Sequence, residues 1–232
     1  MNTTPITFQL FAKAPVAGTV KTRLHPVLSA ADAATLHTRL IDRTAAALAG
    51  VRAELPQAAL QLWGAPDCEH PALRAVAAQQ GLSMHRQSGN DLGARMRDAL
   101  STAMPGYAVL VGSDCPLVDT PLLLRAAAAL RDADAVFVPA DDGGYALVGC
   151  RGAAPDCFEQ IPWSTGGVMS ETRAQLSARG TTWLELPVVW DVDTPADLAR
   201  LATDVRFSHL LSGLTDRSRS SAGKEIEQPS II

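Results

Sequence analysis

Apolar residues along this chain fall into short continuous runs that alternate with longer stretches in which they recur at helical spacing. The runs Ile6–Phe11, Ala58–Trp63, Leu82–Arg86, Tyr107–Val111, Ala135–Val138, Tyr145–Val148 and Thr182–Leu186 read as strands, and Tyr107–Val111 is the clearest buried one. Between the first two, Leu36, Leu40, Ile41 and Leu48 share one helical face, on a helix starting near Ser29 with Asp32 three residues later as a weak capping partner. Further helices are expected over Pro71–Gln80, stopped by Gly81, over Asp91–Met104, stopped by Pro105-Gly106, and over Val168–Arg179, closed by Gly180. Another runs to about Asp132, with Thr120 as N-cap and Pro121 in the first position, and a last one opens at Thr194-Pro195-Ala196-Asp197.

Strands in alternation with helices predict an α/β fold: an α/β/α sandwich with a mostly parallel mixed sheet and right-handed crossovers. No internal repeat interrupts this order, so residues 6–204 are expected to form one domain. Residues 205–232 form a tail whose end, from about 215, is rich in serine and charge and is expected to be disordered.

Composition supports the α/β reading, since 47% of residues are apolar, only 5% are aromatic, and alanine is plentiful in the predicted helices. A formal charge of -4 leaves no electrostatic footprint for nucleic acid or an anionic membrane, so a phosphate-bearing ligand must be met by local cations. No run approaches the ~18 apolar residues of a membrane span. No basic, apolar leader precedes the first strand, and the cytoplasm is the expected location. Cys68, Cys115, Cys150 and Cys157 lack C-x-x-C spacing and are expected to be reduced, mostly buried thiols. Neither a histidine metal site nor a G-x-S-x-G nucleophile elbow is present in the pattern.

In open parallel sheets ligands bind at the carboxyl ends of strands, and four polar clusters fall at such ends. Lys13, Gly18, Lys21, Thr22 and Arg23 concentrate cations beside a flexible glycine: a phosphate cradle, or else a solvated basic loop. It is not a Walker A loop, because Pro15 and Val20 stand where glycines are needed. Asp114 ends a strand in a carboxylate, which suits a divalent metal held against phosphates, the alternative being a cap of the next turn. Cys115 beside it has no histidine in any cluster to serve as its base. Asp142, Gly143, Gly144 and Tyr145 form a tight turn whose backbone N–H groups could face a ligand, or a plain hairpin. Asp191 and Asp193 are left over once capping has explained Thr194 to Asp197; Asp193 is the choice for a second metal ligand and Asp191 the alternative. Asp91-Leu92-Gly93-Ala94-Arg95-Met96, with Asp91 and Gly93 foremost, opens a helix whose first turn could meet a nucleotide or is simply capped. Trp163, Ser164 and Thr165 suit an acceptor-side loop, or Trp163 is a core residue.

These stretches, in order, are Phe11-Ala12-Lys13-Ala14-Pro15 with Gly18 and Lys21-Thr22-Arg23-Leu24, Gly112-Ser113-Asp114-Cys115-Pro116, Asp142-Gly143-Gly144-Tyr145, Ile161-Pro162-Trp163-Ser164-Thr165 and Asp191-Val192-Asp193-Thr194-Pro195. Together they resemble the bacterial GT-A glycosyltransferase-like family, some of whose members carry the name arsenosugar biosynthesis glycosyltransferase. The likeness covers residues 6 to 204. A more distant likeness is to 2-phospholactate guanylyltransferase, whose Asp-Gly-Gly is followed by Thr-Asn where this chain has Tyr145-Ala146. The resemblance implies a GT-A, nucleotide-diphospho-sugar-transferase-like fold, a requirement for Mg²⁺ or Mn²⁺, and a metal position at Asp114. The Asp-x-Asp pair common in glycosyltransferases of this fold is missing, because Gly112 precedes Asp114 and Cys115-Pro116 follow it.

The expected activity is therefore metal-dependent transfer from an activated nucleotide, with glycosyl transfer from a nucleotide-diphospho-sugar to a small-molecule acceptor as the first reading. Nucleotidyl transfer to a phosphorylated or carboxylate acceptor is the second, and a nucleotide-binding protein without turnover the third. Asp114 is central and no covalent nucleophile is required.

Overall fold

The computed structural model describes residues 4–215. Seven strands, β1 (Ile6–Lys13), β2 (Ala59–Ala65), β3 (Ser83–Arg86), β4 (Tyr107–Gly112), β5 (Ala135–Pro139), β6 (Tyr145–Arg151) and β7 (Trp183–Glu185), make one sheet in the order β3-β2-β1-β4-β6-β5-β7. All neighbours are parallel except β6, which runs antiparallel between β4 and β5. The helices are α1 (Ala30–Gly50), α2 (Pro71–Gln80), α3 (Leu92–Ser101), α4 (Thr120–Ala129), α5 (Val168–Ala178), α6 (Pro195–Thr203) and the one-turn α7 (Ser208–Leu211).

Both faces of the sheet are covered, as a parallel sheet requires. On one face Phe8, Leu10, Leu62, Val109 and Val111 pack with Ile41 and Leu48 of α1 and Leu122 and Leu123 of α4. On the other, Phe11, Leu110, Phe137 and Val148 pack with Met96 and Leu100 of α3 and Met169 and Leu176 of α5. Gln9 points to that second face and is fully buried, its amide donating 2.6 Å to the Ala99 carbonyl and 3.1 Å to Gln61. A third apolar cluster joins Leu36 and Leu40 of α1 to Trp190, Val192, Leu198, Leu201, Phe207 and Leu210. Through it the C-terminal part of the described chain is packed onto α1.

The element order, the Gly81 and Gly180 stops, and the Ser29 and Thr194 caps follow the sequence expectations. Thr194 and Asp197 form a full capping box. The N-cap of α4 is Asp119, whose carboxylate accepts from the Leu122 N–H, and not Thr120. The Thr120 hydroxyl is instead drawn to α1, where it donates to the Ala47 carbonyl at 2.9 Å. Helix α3 ends at Ser101 and α4 at Ala129, short of the predicted Met104 and Asp132. The short helices at Thr22–Leu24, Val51–Ala53 and Val205–Phe207, and α7, are too brief to leave a periodic signal. The expected disorder from about residue 215 lies essentially outside the described residues.

Order reverses at the middle of the sheet: the chain leaves β1 toward β2 and β3, then crosses back to β4 on the other side. The loops that follow β1 and β4 therefore diverge, opening a crevice between their carboxyl ends.

Candidate active site

The crevice widens into a cleft of about 1100 Å³ that gathers residues from each of the four polar clusters. The loop after β1 contributes Lys13 and Arg23, the loop after β4 contributes Ser113 and Asp114, the β5–β6 turn contributes Asp142 and Gly144, and the segment after β7 contributes Asp191 and Asp193. The last segment reaches the centre because the Val192 N–H donates to the Asp114 carbonyl at 3.0 Å, which lays 191–193 alongside the end of β4.

Asp114 sits at the middle. Its Oδ1 is sealed from solvent, while the side chain as a whole is 45% exposed, so the rest of the carboxyl group opens to the cleft. Beneath it lies Lys21, whose side chain is only 3% exposed and whose Nζ is 2.6 Å from Asp114 Oδ1 and 2.9 Å from Asp193 Oδ1. Burial by itself would push the Asp114 carboxyl up; the Lys21 ammonium and His37 outweigh it and hold the group well below the usual carboxylate range. Burial would likewise lower the Lys21 ammonium, and the two carboxylates reverse this and raise it. Both partners are therefore charged.

Lys21 reaches this position because its backbone is left-handed, with φ 49° and ψ 37°, which turns a lysine inward from a loop. Gly18, at φ 85°, supplies the other reversal in that loop, and Lys13 Nζ braces it by donating to the Thr19 carbonyl at 3.0 Å. His37, on the buried face of α1, completes the support. Its Nε2 lies 3.0 Å from the Lys13 carbonyl, which can only accept, so Nε2 carries a proton. Its Nδ1 lies 3.5 Å from Asp114 Oδ1.

Charge is divided across the cleft. Lys13, Arg23 and Arg95 of α3 lie with the β1–β3 half, and among the described residues neither Lys13 nor Arg23 makes an ion pair. The half built from β5, β6 and the segment after β7 presents Asp142, Asp191 and Asp193, and among the described residues no Lys or Arg of that half lines it. Burial, and then the nearby charges of Asp193, Asp142 and Asp114, push the Asp191 carboxyl up to about 6. The acidic half is completed by Tyr145 and by Trp163, Ser164 and Thr165. Their loop is pressed onto the β5–β6 turn: a Cβ on Gly143, at φ 90°, would collide with the Gly166 carbonyl, and the Met169 N–H donates to the Gly143 carbonyl at 2.8 Å.

Several sequence-selected residues take supporting positions. Lys21 does not line the cleft, and Gly18 and Thr22 are exposed outside it. Asp91 caps α3 by accepting from the Ala94 N–H at 2.7 Å, and Gly93 is packed under Trp163. The backbone N–H groups of the Asp142 turn do not face a ligand: Gly143 donates to the Ala140 carbonyl and Gly144 to Asp142 Oδ1 at 2.8 Å. Asp141 turns away to pair with Arg200 at 2.9 Å. Cys115 is buried, and burial pushes its thiol up to about 12, which removes it as a nucleophile. Arg95, from the stretch that opens α3, lines the cleft, and so do His37 and Gln87, which sequence reasoning missed. A histidine on the apolar face beside Leu36 and Leu40 was a legible signal for His37.

Among the described residues no group of three or more His, Cys, Asp or Glu side chains is arranged to hold a metal ion unaided. The donor set nevertheless fits a hard divalent cation of the kind that takes one or two carboxylates and completes its shell from phosphates and water. Oxygen donors converge on the cleft, where Asp114, Asp142, Asp191 and Asp193 all line one wall or its floor. No helix among the described residues is long and apolar enough to cross a membrane.

Residues 48–165 match the family described as uncharacterized protein conserved in bacteria (DUF2064). A provisionally named nucleotide-diphospho-sugar transferase from Desulfovibrio desulfuricans G20 is 30% identical, with 94% of this chain and 96% of that chain covered and a TM-score of 0.76. A cytidylyltransferase from Leptospira borgpetersenii serovar Hardjo-bovis is 13% identical, with 97% and 100% of the two chains covered and a TM-score of 0.56. A CMP:2-keto-3-deoxy-manno-octonic acid synthetase complexed with CTP is 10% identical, with 86% and 97% covered and a TM-score of 0.52. The last two share the fold. No curated protein matches the chain.

Proposed function

The chain belongs to DUF2064, a family of uncharacterized proteins conserved in bacteria, and from that premise we propose that it is a nucleotide-dependent transferase. Its reaction is glycosyl transfer from a nucleotide-diphospho-sugar to a small hydroxylated acceptor. The observation that carries this reading is the division of charge across the cleft about Asp114. The cationic half, with Lys13, Arg23 and Arg95, suits the diphosphate of a donor, as does its position at the reversal of strand order. The acidic half would repel a phosphorylated or carboxylate acceptor, whereas its carboxylates and hydroxyls suit the hydroxyl groups of a neutral one.

Asp114 and Asp193, with Asp191 as the alternative, would hold Mg²⁺ or Mn²⁺. When bound, such an ion would neutralise charge developing on the leaving diphosphate. The protein's own groups do the rest. Lys13 and Arg23 bind the phosphates, and Trp163 and Tyr145 border the sugar and acceptor. In the transfer, the acceptor oxygen forms a bond to the anomeric carbon, the bond from that carbon to the phosphate oxygen breaks, and its electron pair leaves with the nucleoside diphosphate. The hydroxyl proton goes to a carboxylate of the acidic wall. Asp191, pushed up to about 6, has the basicity for this near neutral pH.

A second reading, nucleotidyl transfer, is favoured by one feature, the absence of an Asp-x-Asp pair at the end of β4. The deciding experiment incubates the protein with nucleotide sugars and with nucleoside triphosphates plus candidate acceptors, in Mg²⁺ or Mn²⁺. Release of nucleoside diphosphate is expected. Pyrophosphate release would move the assignment to the second reading. Nucleotide binding with neither product, and equal with and without metal, would leave a binding protein.

A further inference from the structure

We propose that Lys21 is a built-in counter-cation that holds free divalent metal out of the site, so that metal enters only together with nucleotide. The inference rests on the transferase reading, which makes Asp114 and Asp193 the metal-binding pair.

A loop lysine ordinarily points its ammonium to water. Lys21 does the reverse: its backbone adopts the left-handed region and its side chain, 3% exposed, ends between two carboxylate oxygens at 2.6 and 2.9 Å. The loop thus gives up solvation of the ammonium and accepts a backbone conformation that suits glycine or asparagine better. A phosphate ligand would be expected to face the cleft, and Lys21 is not part of its wall. Its charge acts from beneath the two carboxylates.

Two carboxylates without this ammonium would carry two negative charges and attract a divalent ion by themselves. With Lys21 in place the pair carries one, and an incoming dication meets an ammonium already seated on the inner oxygens. The ammonium is sealed beneath the carboxylates, so its repulsion of a dication approaching from the cleft is not relieved by water around the ammonium itself. A nucleotide diphosphate bound by Lys13 and Arg23 returns the negative charge that the ammonium removed, and the dication is then retained between phosphates and carboxylates. The same residue keeps Asp114 and Asp193 from repelling each other before substrate arrives. Lys21 is thereby a residue that orders binding, and the cation it controls needs no third protein ligand.

The test is titration of the full chain with Mn²⁺ alone, followed by electron paramagnetic resonance or calorimetry. Lys21→Met should bind Mn²⁺ at least tenfold tighter than the unmodified protein, and Lys21→Arg, which keeps the charge, should not. Equal or weaker binding by Lys21→Met, including none, overturns the inference. Because two bare carboxylates could prevent Lys21→Met from folding, Asp193→Asn and the double variant Lys21→Met/Asp193→Asn ask the same question with one carboxylate. The double variant should again be the tighter binder, and equality overturns the inference. If the Lys21 series is flat while Asp114→Asn abolishes metal-dependent stabilisation by nucleoside diphosphates, the inference fails and the transferase reading stands. If Lys21→Met tightens Mn²⁺ binding but Asp114→Asn leaves nucleotide binding unchanged, the carboxylates hold a cation and the transferase reading fails.

Discussion

The first turn of α3 passes so close to Trp163 that a Cβ added to Gly93 would lie 2.7 Å from the indole Cζ2 and 2.6 Å from the Phe158 carbonyl. The glycine is therefore what lets the loop carrying Trp163 close against the cationic half of the cleft. Gly93→Ala should displace the indole and destabilise the fold by about 1–3 kcal/mol, the usual cost of overpacking. A shifted tryptophan emission together with a lowered melting temperature checks this; an unchanged spectrum would refute it.

Asp114→Ala should cost stability as well as binding. It removes one of the two carboxylates that neutralise buried Lys21, leaving Asp193 alone to do so. Loss of roughly 1–3 kcal/mol is expected, below the full cost of stranding a buried charge because one partner remains. Urea denaturation measures it. A further Lys21→Met change in the Asp114→Ala background should recover part of the loss, since no charge is then left half-paired.

Arg23→Ala should weaken nucleotide diphosphate binding by about tenfold while leaving the melting temperature of the free protein unchanged, because Arg23 is exposed and bears on the cleft. The variant's affinity should also fall less steeply with added salt than that of the unmodified protein. Parallel slopes would exclude Arg23 from phosphate contact.

Asp191 gives a pH dependence of stability. Its carboxyl is pushed up to about 6 in the folded protein, above the usual carboxylate value of 3.8, so its protonated form is favoured by folding. That contribution is fully present below about pH 4 and is lost as pH rises through 6. Asp191→Asn should accordingly stabilise the metal-free protein at pH 8 relative to pH 4, by about 1–2 kcal/mol once solvent screening is allowed for. Melting curves of both proteins across this range decide it, and a pH-independent difference would contradict the assignment.

Much of the architecture was legible because its signals are local. Gly81 and Gly180 mark helix ends by their backbone freedom, and the Thr194 capping box names its own partner three residues away. Asp114 stood out because a carboxylate at the end of an apolar strand requires a counter-charge. What was not legible depends on which distant group arrives. Thr120 and Asp119 can both cap a helix, and the choice was made by α1, whose Ala47 carbonyl takes the Thr120 hydroxyl. Lys21 reads as a surface cation until a left-handed backbone turns it beneath Asp114 and Asp193. His37 reads as one polar residue on an apolar helix face until the Lys13 carbonyl and Asp114 are brought to its two nitrogens.

The ion pair between Lys21 and Asp193 joins residues 172 positions apart. Lys21 and Asp114 follow β1 and β4, whereas Asp193 is brought in by the segment that follows β7. A chain folded only as far as β4 would hold Lys21 with one of its two carboxylates. The second carboxylate arrives when the segment after β7 is laid alongside the end of β4, so the full neutralisation of Lys21 reports that both ends of the sheet have packed together.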